Sequence, residues 1–139
     1  MKIHHLGIAV ESLPQAVAVF TALLQTAPIA EETVAGQKVR VAIFQVGESR
    51  IELLEALEPD SPVGRFLAKR GAGIHHVTLS TPHLETRLQA LEQTGFRLID
   101  RVPRLGAGGE KIAFLHPSST AGILIELIEE HSELEGGKA

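Results

Sequence analysis

The chain of 139 residues has the length of one ordinary domain, and its 44% hydrophobic and 22% charged residues suit a buried core. It contains no cysteine, which excludes disulfides and thiolate metal sites, so any metal must be held by histidine and carboxylate ligands. The net charge of −4 argues against a basic nucleic-acid-binding face. Because the sequence shows no long apolar run and no signal peptide, we expect a cytoplasmic protein with no membrane partner.

The first half begins with a strand and an amphipathic helix. The apolar segment 2–10 predicts a buried strand. Ser12 followed by Pro14 is typical of a helix start, and apolar residues at i, i+4, i+7 and i+11 from Leu13 predict one buried helix face. Strands are then predicted around 39–43 and over 50–55.

A linker over residues 58–72, with a short helix that Gly71 ends, leads to a second half with the same order. We predict its strands and helix at 74–80, 84–94, 96–101, 112–115 and 123–129, with a glycine-rich loop at 104–109. The predicted fold class is α+β. Two β-α-β-β-β modules, about 1–57 and 73–130, would form a curved mixed sheet, and a polar tail would follow at 131–139.

The two halves carry the same pair of candidate metal ligands. His5 and His76 stand in the first strand of each half, and Glu52 and Glu126 lie between Ile and Leu in the last. Alternate residues of a strand share a face, so each His and Glu could meet on the inner face of its module. Two histidines and two carboxylates around one cavity suit Co²⁺, Mn²⁺, Fe²⁺, Ni²⁺ or Zn²⁺, with room for water or substrate.

The alternative interpretation is that these are ordinary strand residues, as a single His or Glu usually is. The duplication favours the metal site. His4 and His75 are predicted to be structural, because adjacent residues of a regular strand point to opposite faces.

Several further segments stand out along the chain. They are His5–Val10, Ile51–Glu55, Asp60–Pro62, Gly73–His76, Pro103–Ala107, Ile112–Pro117 and Gly122–Leu127. Together they resemble the methylmalonyl-CoA epimerase family of the vicinal-oxygen-chelate superfamily, over about residues 3–129. The first and last segments mark only the superfamily, whereas the linker, the Pro-Arg-x-Gly-Ala loop and the Phe-Leu-His-Pro stretch make the resemblance specific.

The resemblance implies a glyoxalase-like fold and a function. It implies epimerisation of (R)- and (S)-methylmalonyl-CoA by proton abstraction at C2 through a chelated enolate, within propionate metabolism. It places the metal ligands at His5, Glu52, His76 and Glu126, with Glu126 also the general base. Co²⁺ is the first choice of ion, the partner is a small acyl-CoA substrate, and the expected assembly is a homodimer.

The residues that would bind coenzyme A are less well defined. Arg104 and Lys111 flank the glycine-rich loop and could lie near the phosphates, with N–H groups of the loop, such as that of Gly106, assisting. Both cations could equally be solvated surface residues.

One position departs from the family pattern. Some epimerases carry a second catalytic Glu where this chain has Val41, so we expect Glu52 to act as the second acid/base opposite Glu126. Alternative functions are a glyoxalase I-type isomerase with the same four ligands, an extradiol dioxygenase without Glu52, and a metal-free drug-binding protein.

Overall fold

The computed structural model describes residues 1–106 and 108–130. Its strands form one mixed sheet in the order β2-β3-β4-β1-β5-β8-β7-β6, which confirms the α+β, glyoxalase-like fold class. The elements are β1 (Lys2–Ala9), α1 (Leu13–Leu24), β2 (Ala30–Val34), β3 (Val39–Val46), β4 (Ser49–Ala56), α2 (Pro62–Arg70), β5 (Gly73–Thr81), α3 (Leu84–Gln93), β6 (Arg104–Leu105), β7 (Lys111–Leu115) and β8 (Ile125–Glu129). None of these helices combines the length and hydropathy of a membrane span, within the described residues.

The chain divides into two compact units, and the first is His5–His76. In it β3 pairs antiparallel with β2 and β4, while β1 pairs parallel with β4. β3 contributes residues to two apolar clusters. Val41 packs with Val63 of α2 in one cluster, and Phe44 packs with Leu13 of α1 in the other. Each helix therefore covers apolar side chains of the strands by burying its own apolar face.

The second unit comprises Met1–His4 and the described part of Val77–Ala139. In it β5 pairs parallel with β8, and β7 pairs antiparallel with β8 and β6. Leu84 and Leu88 of α3 are fully buried against Leu115 and Leu127 of the strands.

The second Glu of each Ile-Glu-Leu-x-Glu motif anchors a helix. Glu55 Oε2 accepts a hydrogen bond of 3.0 Å from the backbone N–H of Leu13, the first residue of α1. Glu129 Oε1 accepts one of 3.0 Å from the N–H of Leu84, the first residue of α3. Helix N–H groups in the first turn lack a partner within the helix, and a carboxylate there also interacts favourably with the helix dipole. Each repeated motif therefore supplies two glutamates: the first is a candidate metal ligand, and the second attaches a helix to a strand.

Two predictions about the second half were wrong. The segment 96–101 is not a strand: Leu98 forms a single bridge with Leu115, and the Asp100 carboxylate accepts the Phe114 N–H at 2.8 Å where a strand would offer a carbonyl. Arg104 and Leu105, predicted as part of a loop, form the short strand β6. This strand pairs with β7 in a hairpin, which is closed by a hydrogen bond of 2.8 Å from the Gly106 N–H to the Glu110 carbonyl.

Candidate metal centre

His5 and His76 face each other in the first unit. Their Nε2 atoms are 3.2 Å apart, both residues are buried, and the rings meet edge to face at an interplanar angle of 85°. Two imidazole nitrogens bound ~2.1 Å from one ion are separated by about 3.0–3.4 Å at octahedral and tetrahedral angles. The histidine pair therefore has the separation of two ligands of one metal ion.

Gly7 makes room for the His76 ring. A Cβ added at Gly7 would overlap Cε1 of His76 and would lie 2.6 Å from both its ring nitrogens. Only a glycine lets the imidazole lie against the backbone of β1 at this position. The sequence analysis did not single out Gly7, although a glycine inside a strand is a known signal of close approach.

The second nitrogen of His76 contacts His75. Their Nδ1 atoms are 3.0 Å apart, and the His75 ring packs edge-on against Phe66 of α2. Burial lowers the pKa of His76 to about 4, and the neighbouring His75 adds to this effect. Burial likewise lowers the pKa of His75. His76 is therefore neutral near pH 7, which is the form that binds metals.

Glu52 lies beside His5 on the side of its other nitrogen. Glu52 Oε2 is 3.4 Å from Nδ1 of His5, while Nε2 of His5 faces His76. Metal-bound histidines commonly direct their second nitrogen at a carboxylate, which sets the ring orientation. The structure thus brings His5, His76 and Glu52 together within one unit.

Glu126 lies in the second unit and is 7% exposed. Its Oε1 accepts a hydrogen bond of 2.6 Å from the hydroxyl of Thr78, its register partner on β5. Burial raises the pKa of Glu126, while the Thr78 hydrogen bond and the charge of Arg104 act in the opposite direction. Catalytic and metal-binding residues are often buried carboxylates whose pKa is shifted by their surroundings.

The predicted coenzyme A contacts lie at the surface of the second unit. Arg104 Nε is 3.5 Å from Asp100 Oδ1, and its guanidinium lies 5.4 Å from the centre of the Phe114 ring. Lys111 Nζ is 3.4 Å from Glu85 Oε1. Exposed ion pairs of this kind contribute only ~0–1 kcal/mol, so a phosphate could replace either carboxylate.

Val41 is part of the apolar core of the first unit. It is 5% exposed, pairs with Leu54 across the β3–β4 ladder and packs with Val63 of α2. A carboxylate at this position would be buried among aliphatic side chains, which is costly without a partner.

Residues 4–114 match the family described as the Glyoxalase/Bleomycin resistance protein/Dioxygenase superfamily, and the chain belongs to it. An uncharacterized protein, YqjC of Bacillus subtilis (strain 168), is 46% identical over 138 residues, covering 96% of this chain and 99% of the relative. The ethylmalonyl-CoA/methylmalonyl-CoA epimerase of Cereibacter sphaeroides is 32% identical over 128 residues, covering 91% of this chain and 96% of that enzyme. The crystal structure of methylmalonyl-CoA epimerase from Mycobacterium tuberculosis superimposes with a TM-score of 0.87 at 31% identity, covering 97% of this chain and 91% of the other. Within the superfamily, the chain therefore belongs to the family that contains the methylmalonyl-CoA epimerases.

Proposed function

We propose that the protein is a metal-dependent methylmalonyl-CoA epimerase, which interconverts the (R) and (S) epimers by moving the proton at C2. The observation that carries the proposal is the buried His5–His76 pair, whose Nε2 atoms have the separation of two metal ligands, in a chain of the epimerase family. The relatives with this reaction in their names support the substrate class.

The proposed ligands are His5, His76 and Glu126, with Glu52 as the fourth once its side chain turns from the Nδ1 side of His5 towards the ion. The first three are buried residues, and each has the ligand chemistry of a metal site. Chain connectivity supports the inclusion of Glu126, because its partner Thr78 follows His76 by two residues on β5 and so shares its face. A nitrogen and carboxylate donor set suits a divalent ion, with Co²⁺ as the first choice and Mn²⁺, Zn²⁺, Ni²⁺ or Fe²⁺ as alternatives.

When bound, the ion supplies Lewis-acid stabilisation of the charge that develops on the thioester oxygen. The chain itself moves the proton. Glu126 accepts it from C2 on one face of the substrate, and burial favours proton uptake by raising the pKa of this carboxyl. Glu52 returns a proton on the other face, because this chain has Val41 where some epimerases carry a second catalytic Glu.

Outside the reacting centre, we propose that Arg104 and Lys111 exchange their carboxylate partners for phosphates of the acyl-CoA, beside the hairpin at Gly106. The proposed assembly is a homodimer.

The decisive experiment is NMR of methylmalonyl-CoA in D₂O with protein that has been stripped by chelation and reloaded with Co²⁺, Mn²⁺ or Zn²⁺. Rapid replacement of the C2 proton by deuterium, lost on stripping and restored by one of these ions, is the expected result. The variant His76→Ala is the negative control. Absence of exchange with all three ions would reject the epimerase function, and conversion of a glutathione hemithioacetal instead would assign a glyoxalase I-type reaction.

A further inference from the structure

His75 contacts both the helix α2 and the candidate ligand His76, and all of these residues belong to the first unit. The His75 ring packs edge to face against Phe66 of α2, with centroids 5.1 Å apart, and the guanidinium of exposed Arg70 lies 5.7 Å from the centre of the Phe66 ring. The same His75 ring meets the His76 ring at an interplanar angle of 87°. A series of ring contacts therefore joins the surface of α2 to a buried candidate ligand.

The contact between the two histidines is also polar. Their Nδ1 atoms are 3.0 Å apart, which is a hydrogen-bond distance, although adjacent residues of a regular strand direct their side chains to opposite faces. Two imidazole nitrogens form such a bond only when one carries a proton and the other offers a lone pair. The tautomer of one ring therefore depends on the tautomer of the other.

Metal binding by His76 sets the direction of this hydrogen bond. Nε2 of His76 faces Nε2 of His5 at 3.2 Å, so Nε2 is the nitrogen that would bind the ion, and a ligating nitrogen carries no proton. The proton of the His76 ring then lies on Nδ1, which donates to Nδ1 of His75. His75 carries its own proton on Nε2. One tautomer of each ring thus satisfies both the ion and the hydrogen bond.

We infer that His75 is a positioning residue, whose Nδ1 accepts the His76 Nδ1 proton and fixes the tautomer and rotation of the ligating ring; this inference rests on the proposed function. Gly7 leaves room for the His76 ring but has no side chain that could orient it. Metal-bound histidines usually donate their second N–H to a carboxylate, a carbonyl or water, and loss of that partner weakens metal binding about 10–100-fold. In this chain a second imidazole, packed against Phe66, takes that place.

Two substitutions separate the acceptor from the bulk of the side chain. His75→Leu keeps apolar bulk without an acceptor, whereas His75→Asn offers an amide oxygen in place of Nδ1. In calorimetric titration with Zn²⁺ we expect a Kd about 10–100-fold above that of the parent for His75→Leu, and within about threefold of the parent for His75→Asn. In ¹H–¹⁵N NMR of the Zn²⁺-loaded proteins, the His76 Nδ1–H should exchange slowly with water in the parent and in His75→Asn, and rapidly in His75→Leu.

Phe66 and Phe20 provide a matched comparison for packing. Both are half-buried and lie on helices of the same unit, but Phe66 contacts the His75 ring whereas Phe20 contacts the Phe44 ring. Phe66→Leu should weaken Zn²⁺ binding about two- to tenfold, because His75 loses its aromatic support, and Phe20→Leu should leave the Kd unchanged. An equal loss in both variants would refute the support of His75 by Phe66.

The inference would be overturned if His75→Leu bound Zn²⁺ as tightly as the parent, or if His75→Asn bound it as weakly as His75→Leu. If His75→Leu does not give folded protein, as judged by circular dichroism, His75→Ala removes the same acceptor without adding bulk and is compared with His75→Asn instead. A parent protein that binds Zn²⁺ but exchanges no C2 proton with any of the three ions would refute the proposed epimerase function, while the Kd values still test His75. A parent protein that binds no divalent ion would refute both.

Discussion

The imidazole of His76 lies against the backbone of Gly7, in space that any side chain at position 7 would occupy. This contact places the His76 ring directly against β1 at the candidate metal centre. It also brings His76 Nε2 to 3.2 Å from His5 Nε2.

We predict that Gly7→Ala displaces the His76 ring and weakens binding of Co²⁺ at least tenfold, since a misplaced ligand loses its share of the coordination energy. Isothermal titration calorimetry measures the affinity. The matched control is Gly73→Ala, also in a strand, where an added Cβ meets no atom within 4 Å. Equal affinity of Gly7→Ala and the parent would contradict this account of the site.

Removal of either imidazole should abolish tight binding of the metal. His5→Ala and His76→Ala each take away one of two buried nitrogen ligands, and we expect a loss of affinity on the order of 100-fold or more. His4→Ala is the control, because His4 precedes His5 on β1 and is predicted to be structural. A comparable loss in His4→Ala would show that the ligand assignment on β1 is wrong.

The two proposed proton carriers can be distinguished by the epimer on which they act. With metal retained, Glu126→Gln should lower C2 exchange by about 10²–10⁴-fold for the epimer whose proton it removes, and Glu52→Gln should do so for the other epimer. NMR in D₂O with each pure epimer measures the two rates. Near-normal epimerisation by Glu52→Gln would remove this residue from the proton transfer and favour a water molecule in its place.

The helix-anchoring glutamates should affect stability and leave the reaction nearly unchanged. Glu55→Ala and Glu129→Ala each remove the acceptor for the first N–H of a helix, and we expect the free energy of unfolding to fall by about 1–2 kcal/mol in each case. Chemical denaturation measures the change. Glu92→Ala, which removes the half-exposed partner of Arg101, should cost less than ~1 kcal/mol. If all three variants were equally stable, the anchoring role would be refuted.

Much of this architecture could be predicted from local patterns. Ser12 and Pro14 marked the start of α1, and the Ser12 hydroxyl indeed accepts the Gln15 N–H at 3.4 Å. Gly71 ends α2, as predicted. These signals are local because a helix end depends on a few neighbouring residues. The prediction of a strand at 96–101 was wrong, because the Asp100 side chain accepts the Phe114 N–H in place of a strand carbonyl.

The sequence alone determined which residue types are duplicated, and therefore that His5, Glu52, His76 and Glu126 were the residues to examine. Only the tertiary structure decided their surroundings. His76 packs against Gly7, and Thr78 donates a hydrogen bond to Glu126. Each contact joins two strands that are far apart in the sequence and come together only in the folded sheet. The sequence pattern records the period of a strand, but the strand register sets which side chains face each other. That register makes the two halves chemically unequal, with a glycine opposite one glutamate and a hydroxyl opposite the other.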